Sequence, residues 1–251
     1  MANDKKKGLD TNGNIYTIVY AAVMVVIVAF LLAFISSALK PKQDANVEND
    51  TKGQILAALG FDRKAVDVQK TFAENVTDKV LNNGQLEDYD GPFLSSYGTA
   101  LKNGDLHVFV AKTATGEDAY VLPVVGRGLW GGLWGYIALD ATKTKVLGTY
   151  FYHESETAGL GARIGDRDFQ EKFIGKPVCD AEGNVALTVV KDGAAKQDYE
   201  VNGVTGATLT SKGVGAMCTE GLAVYYLAGF AAQCEQPCQQ TECDTTEVEQ
   251  N

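Results

Sequence analysis

The sequence predicts an α+β protein in which a single membrane-spanning helix is followed by a domain built on a mostly antiparallel sheet. Two observations support this prediction. An uncharged apolar run lies near the N-terminus, and the rest of the chain has helical patterns towards both ends with β-rich stretches between them. Because these strands do not alternate regularly with helices, an α+β arrangement is favoured over a parallel α/β sheet.

The first element is the apolar run from Ile15 to Leu39, which contains no charged residue. A helix of that length exceeds the roughly 30 Å hydrocarbon core of a bilayer. The competing interpretation is a cleaved signal peptide, but its apolar part spans only about 7–15 residues, so a retained anchor is favoured. A buried core helix is disfavoured because the run has no polar face.

The lysines beside this run favour an N-terminus in the cytoplasm. Lys5, Lys6 and Lys7 precede the run, whereas Lys40 and Lys42 follow it. Basic residues near the ends of a span concentrate on its cytoplasmic side. The predicted segments are residues 1–14 in the cytoplasm, a transmembrane helix at 15–39, a polar linker at 40–53, an extracytoplasmic domain at 54–233 and an acidic, cysteine-containing tail at 234–251.

The extracytoplasmic domain is expected to start with a helix over residues 54–83, because Phe72, Val76 and Val80 recur four residues apart. The turn residues 82–84 are expected to end that helix. Further along, β-rich patterns and turn signals predict strands at 106–111, 119–125, 135–140, 145–153, 185–190 and 197–201, a short helix at 166–173 and a final helix from 211 to about 229.

The composition argues against nucleic acid as the main partner, because 32 acidic residues oppose 22 basic ones and the formal net charge is −10. A metal site is not expected either. The chain has two histidines, and the spacing of Cys234, Cys238 and Cys243 does not fit common zinc sites. These tail cysteines are interpreted as a disulfide or as unpaired thiols. Cys218 is expected to be a small core residue.

Three stretches have patterns that suit a cofactor, and the first is the loop at residues 202–211. It lies between a predicted strand and the final helix, and its small residues Gly206 and Ala207 leave Thr208 uncrowded. The hydroxyls of Thr208 and Thr210 stand where helix caps are expected, and the spacing alone favours a simple capped helix. A helix N-terminus also offers N–H groups to a phosphate.

The second stretch is residues 153–161, and the third is the glycine-rich loop at residues 126–136. In the second, Glu156 and Thr157 suit the polar edge of a flavin, and Leu160 lies between glycines that let backbone approach a flat ring. The third contains both tryptophans of the chain, Trp130 and Trp134, four residues apart. Taken singly, the two stretches are a glycine-rich turn and a surface loop with an aromatic anchor.

The first stretch carries a resemblance to a known family. Residues 205–208 resemble the (Ser/Thr)-Gly-Ala-Thr flavinylation motif of bacterial membrane redox subunits, and Thr210-Ser211 also matches. In that family the last threonine of the motif carries FMN through a phosphoester bond, which implies Thr208 here. The family usually has an aspartate at the position of Asn202.

The other two stretches resemble the same group of proteins. Residues 153–161 are similar to a His-x-Glu-Thr-Pro-Gly-Leu-Gly stretch, with one residue more between His153 and Glu156 and with Ala158 in place of the proline. Residues 126–136 resemble the Gly-Arg-Gly-Leu-Trp…Gly-Tyr stretch of the C subunit of the sodium-translocating NADH:quinone reductase. Taken together, the three stretches, the N-terminal anchor, the chain length and the order of these features are similar to that protein over nearly the whole chain. The G subunit of the Rnf electron-transport complex shares the anchor and two of the stretches and stays a related alternative.

The resemblance implies an electron-carrier subunit of a membrane oxidoreductase that oxidises NADH, reduces ubiquinone and translocates sodium. It implies a place in the bacterial inner membrane with the FMN domain on the periplasmic side. The implied partners are the other subunits of the complex and a flavin transferase. The implied cofactor-binding residues are Thr208 for covalent FMN, its neighbours Thr205, Gly206 and Ala207, then Glu156, Thr157, Gly159 and Leu160 near the flavin ring, and Trp130 beside it.

No residue is assigned a catalytic role of its own. No nicotinamide site is identified, because no Gly-x-Gly-x-x-Gly stretch of the sequence leads from a predicted strand into a predicted helix. A cofactor-free, membrane-tethered binding protein remains the alternative from a different class. A hydrolase with Thr208 as nucleophile is disfavoured, because the sequence offers no convincing base beyond His107 and His153.

Overall fold

The computed structural model describes residues 13–94 and 96–231. Cys234, Cys238 and Cys243, with the rest of the predicted acidic tail, lie outside the described residues. The helices are α1 Asn14–Ala58, α2 Val68–Asn75, α3 Tyr97–Asn103, α4 Arg167–Gln170 and α5 Thr208–Leu227. The strands are β1 Val76–Asn82, β2 Gln85–Asp88, β3 Leu106–Lys112, β4 Asp118–Arg127, β5 Gly132–Asp140, β6 Val146–His153, β7 Thr188–Val190 and β8 Glu200–Asn202.

The described residues divide into two compact units at Val47 and Glu48. The first unit is helical, and its apolar side chains are exposed along the predicted membrane run. Helix α1 is long and apolar enough to cross a membrane, judged by its length and composition. Residues 40–53, expected to form a linker, are instead part of this helix, where the ion pair of Lys52 with Glu48 joins successive turns.

The second unit is organised around a six-stranded sheet in the order β2-β1-β3-β4-β5-β6, and every neighbouring pair in it is antiparallel. The α+β prediction with a mostly antiparallel sheet is therefore confirmed. The short strands β7 and β8 form a separate parallel pair. The predicted helix at 166–173 consists of α4 and a following 3-10 turn.

The helix predicted for residues 54–83 is wrong in two places, because residues 59–67 lie between α1 and α2 and residues 76–82 form strand β1. The four-residue spacing of Phe72, Val76 and Val80 is present, but β1 pairs with β2 on one side and β3 on the other. Asn83 and Gly84 both have positive φ, 48° and 79°, so they form the tight turn of a hairpin and do not terminate a helix. Pairing with two strands thus outweighed a local helical pattern.

Both faces of the central sheet are buried. On β3, Val108 belongs to the core that α5 covers, and Phe109 belongs to a second core beneath the end of α1 and helices α2 and α3. Both side chains are fully buried. Two covered faces explain why the central strands are continuous apolar runs in the sequence. Strands β4, β5 and β6 are joined as hairpins, so the β4–β5 turn and the C-terminal end of β6 lie at the same end of the sheet. Helix α5 begins at this end.

Candidate functional site

The three stretches identified in the sequence come together in space at this end of the sheet. The turn between β4 and β5 carries Trp130, whose backbone N–H donates to Oε1 of Glu156 at 2.9 Å. Glu156 lies in the segment that follows β6. Its other carboxylate oxygen, Oε2, accepts a hydrogen bond of 2.7 Å from Oγ1 of Thr210 in α5. One carboxylate therefore bridges all three stretches.

The Glu156 side chain is almost fully buried, at 7% exposure. Burial by itself raises the pKa of its carboxyl. Hydrogen bonds from the Thr210 hydroxyl and from the backbone around Trp130 outweigh that effect, so the pKa lies below its ordinary value. Glu156 is thus held as a carboxylate. The resemblance implied that Glu156 lies near the flavin ring, and in this structure its oxygens are engaged by protein donors.

Two glycines allow the stretches to approach this carboxylate. A Cβ on Gly128 would lie 2.3 Å from Oε1 of Glu156, and a Cβ on Gly161 would lie 2.5 Å from Oε2. Any larger residue at either position would collide with the carboxylate. A Cβ on Gly206 would lie 3.1 Å from Leu160, which brings the second stretch against the loop before α5.

Helix α5 begins at Thr208, earlier than predicted, and its N-cap residue is Ala207. The expectation that Thr208 and Thr210 cap the helix is wrong: no side chain caps it. The first helical hydrogen bond runs from the Ser211 N–H to the Ala207 carbonyl. The N–H groups of the three residues before Ser211 consequently have no partner within the helix.

The hydroxyls around this helix start differ in what they contact. The Thr205 hydroxyl donates to Oδ2 of Asp192 at 2.5 Å, and the Thr210 hydroxyl donates to Glu156. Ser211 is buried, and its Oγ accepts from the Val204 N–H at 3.0 Å. Within residues 13–94 and 96–231, the exposed Thr208 hydroxyl has no hydrogen-bond partner.

Each of the three stretches has an exposed apolar side chain. Trp130 is 67% exposed, Leu209 58% and Leu160 43%. Thr157 and Gly159 are also exposed, beside Leu160. Trp130 is therefore available to a ligand. Trp134, the other tryptophan, packs on Tyr152 with ring centroids 5.0 Å apart.

The hydrogen-bond partners at this site were not apparent from the sequence. Asn202, the position where the resembling family usually has aspartate, accepts through Oδ1 from the Ala195 N–H at 3.1 Å. That bond, with the Thr205–Asp192 bond, ties the β7–β8 connection to the loop before α5. The contributions of Asp192 and Thr210 had no local sequence signal, because each lies far along the chain from its partner.

No group of three or more histidine, cysteine, aspartate or glutamate side chains in the described part of the chain is arranged to hold a metal ion. Nδ1 of His153 accepts from the Glu156 N–H at 3.2 Å, which helps to shape the second stretch. His107 is buried in the second core, where its Nδ1 lies 2.9 Å from Oδ1 of Asp78. Neither histidine is positioned against the Thr208 hydroxyl as a base by any hydrogen bond in this structure.

Comparisons with known proteins identify the family to which this domain belongs. The FMN-binding domain family matches residues 128–223, which include all three stretches from Gly128 onwards. The C subunit of the Na(+)-translocating NADH-quinone reductase from Haemophilus ducreyi is 31% identical over 219 residues, covering 79% of this chain and 85% of the relative. Its counterpart in Pseudomonas aeruginosa is also 31% identical, over 227 residues, with 79% of this chain and 87% of the relative covered.

Solved structures give the same result. The crystal structure of the C subunit from Parabacteroides distasonis superposes with a TM-score of 0.68 at 31% identity, covering 77% of this chain and 98% of that one. Shewanella oneidensis NqrC, at 21% identity, shares the fold with a TM-score of 0.62, covering 74% of this chain and 100% of that one. The curated relatives are named as subunits of an oxidoreductase complex. The chain belongs to the NqrC family, which provides the C subunit of the Na(+)-translocating NADH-quinone reductase.

Proposed function

We propose that this chain carries FMN bound covalently to Thr208 through a phosphoester and passes single electrons between other subunits of a sodium-translocating NADH-quinone reductase. The observation that carries the proposal is which hydroxyls at the start of α5 already have a hydrogen-bond partner. Thr205, Thr210 and Ser211 are engaged by Asp192, Glu156 and the backbone. Thr208 is exposed, and its hydroxyl is free among the described residues.

The surroundings of Thr208 suit the phosphate of FMN. Thr208 is the first residue of an uncapped helix, whose N–H groups and positive dipole end favour an anion. Lys212 follows Thr208 by four residues, so it lies on the same face of α5 one turn away, and it is exposed. An ammonium group there would help to balance the charge of a phosphoester.

The surroundings also suit the flavin ring. Trp130, Leu160 and Leu209 expose apolar side chains on the three stretches that Glu156 joins, and a flat aromatic ring placed against them would remove their surface from water. Thr157 and the backbone around Gly159 would offer polar and small groups beside the ring. The flavin would supply the redox chemistry, whereas these residues would set its position and its access to water.

Attachment requires a separate flavin transferase. In that step the Thr208 oxygen would form the new P–O bond, the phosphorus of the activated FMN donor would lose its bond to the leaving group, and the hydroxyl proton would pass to solvent or the transferase. The loop around Gly206 is exposed, so it is accessible to such an enzyme. Exposure of the apolar side chains suits the later approach of partner subunits.

The test is a comparison of Thr208→Ala with Thr205→Val after coexpression with the flavin transferase. Intact mass should show one covalent FMN in the wild type and in Thr205→Val, and none in Thr208→Ala. The wild-type protein should stay yellow after denaturation. FMN on Thr205 or Thr210 would contradict the attachment site, and a colourless wild type would favour the cofactor-free, membrane-tethered alternative.

The proposed location is the bacterial inner membrane, with the FMN domain on the periplasmic side. The support is the lysine bias across the apolar run, with Lys5 to Lys7 before it and Lys40 and Lys42 after it. Protease added to intact spheroplasts should remove the domain while a cytoplasmic marker survives. Equal protection of the domain and the marker would reverse the orientation.

A further inference from the structure

Thr210 has a buried hydroxyl that attachment of FMN to Thr208 does not use. Its side chain is 2% exposed, and its Oγ1 donates to Oε2 of Glu156 at 2.7 Å. Thr210 lies in the same first turn of α5 as Thr208. A hydrogen bond from this turn to a residue 54 positions away links the turn to another part of the site.

The second oxygen of the same carboxylate provides the other half of the link. Oε1 of Glu156 accepts from the Trp130 N–H at 2.9 Å. Hydrogen bonds to an ionised carboxylate are shorter and stronger than those between neutral groups. The carboxylate therefore connects the turn that contains Thr208 directly to the backbone of the loop at residues 128–131, which contains Trp130.

Other contacts hold this loop on a different side. The Ser155 hydroxyl donates to the Trp130 carbonyl at 3.2 Å, and the Gly132 N–H donates to Oε2 of Glu154 at 3.2 Å. These bonds fix the loop to the segment after β6, not to α5. The bond between Thr210 and Glu156 is the hydrogen bond that joins that segment, and the loop with it, to the first turn of α5. The next turn of α5 packs on the start of the loop, where a Cβ on Gly213 would lie 3.3 Å from Cα of Gly128.

We infer that Thr210 and Glu156 form a latch that fixes the loop at residues 128–131 against the first turn of α5. Thr210 is then a positioning residue, which sets where Trp130 lies relative to Thr208. The latch is a property of the protein alone. Its effect on a flavin rests on the proposed function, because it requires FMN on Thr208 and Trp130 beside the ring.

Close packing supports this role. A Cβ on Gly161 would lie 2.6 Å from Oγ1 of Thr210, and a Cβ on Gly128 would lie 2.3 Å from Oε1 of Glu156. Glycines at these two positions give the hydroxyl and the carboxylate room to meet. With the hydroxyl absent, a mostly buried carboxylate oxygen would lose a hydrogen-bond donor, which is costly.

The first experiment uses flavin-free full-length protein and measures backbone amide exchange at residues 129–131. Thr210→Val keeps the size of the side chain and removes the hydroxyl, and it should accelerate exchange there by about tenfold or more, as expected for loss of a bond to a charged group. Thr210→Ser should restore slow exchange. Glu156→Gln, which keeps the shape and loses the charge, should accelerate exchange even if the valine variant folds poorly.

Thr219→Val is the matched control. Thr219 is a partly buried threonine of the same helix, and its hydroxyl donates to the Leu187 carbonyl at 2.8 Å. Its replacement should leave exchange at residues 129–131 within about twofold of wild type, because additivity holds for sites that share no partner. Unchanged exchange in both Thr210→Val and Glu156→Gln, or equal acceleration in Thr219→Val, would overturn the latch.

The second experiment uses the flavinylated protein and measures flavin emission anisotropy and reduction potential. Thr210→Val should lower the anisotropy and shift the potential, and Thr210→Ser should match the wild type. Faster exchange at residues 129–131 with an unchanged flavin would overturn the positioning role and leave the latch intact. FMN found elsewhere than on Thr208 would instead overturn the proposed function.

Discussion

The protein uses aromatic side chains in two opposite ways at two places on one sheet. Beneath the end of α1, helices α2 and α3 cover a closed aromatic cluster, in which most rings meet edge to face. Its members are Phe72, Phe93, Tyr97, His107, Phe109 and Tyr136. At the β4–β5 turn, Trp130 is 67% exposed and has no ring partner among the described residues.

The aromatic residues of the closed cluster stabilise the fold, whereas Trp130 is available for a ligand. In the closed cluster even the polar atoms are satisfied, since Asp78 accepts from the Tyr97 hydroxyl at 3.3 Å and lies 2.9 Å from His107. At the open site the backbone is held rigidly by Glu156, while the indole of Trp130 is left to solvent. Rigid backbone and exposed apolar side chains together are what a ligand site needs.

The largest expected effect is the loss of a ring from the closed cluster. Phe109 is fully buried, so Phe109→Ala should lower the free energy of unfolding by about 3–5 kcal/mol. Thermal or denaturant unfolding of the detergent-solubilised protein measures this loss. A loss below about 1 kcal/mol would mean that the cluster is not a stabilising core, and the contrast with the open site would disappear.

Alkaline pH should also act on the closed cluster. Burial, and then the charge of Asp78, raise the pKa of Tyr97 well above its ordinary value, and burial likewise raises that of Tyr136. Above the ordinary tyrosine pKa of about 10, the unfolded chain loses protons that the folded chain keeps, so the free energy of unfolding should fall as pH rises. Tyr97→Phe should make that fall less steep, and an unchanged slope would contradict the assignment.

Acid should act on the open site instead. The pKa of Glu156 is lowered, so its contribution to stability is present above the ordinary carboxyl pKa of about 4.3 and is lost as pH falls through the lowered value. Trp130 emission should therefore change below about pH 4, before global unfolding. Glu156→Gln should remove this transition. Its persistence in that variant would assign the acid effect to another carboxylate.

The smallest effect on stability is expected at Trp130. Because its side chain is mostly exposed, Trp130→Ala should change the free energy of unfolding by less than about 0.5 kcal/mol. Flavin emission or potential should change nonetheless, if the indole lies against the ring. Trp134→Ala is the control, and a flavin change in that variant alone would move the ligand contact to the other tryptophan.

The local pattern of the sequence was sufficient to predict several features of the structure. The apolar run at residues 15–39 lies in a helix long enough to cross a membrane, and strands β3 to β6 formed where continuous apolar stretches lay between turn residues. The motif at residues 205–208 lies at the start of a helix, as expected. Hydrophobic periodicity and turn residues act over a few neighbours, which is why they can be interpreted without knowledge of the fold.

Other features were decided by contacts between distant residues. Residues 76–82 became a strand because β2 and β3 offered backbone partners on both sides. The sequence marked Thr205, Thr208 and Thr210 as similar hydroxyls in one loop. Asp192 and Glu156, folded against that loop, engage the first and third and leave the exposed middle hydroxyl without a partner among the described residues. A hydroxyl's availability depends on what packs against it, and that is set when segments far apart in the chain meet.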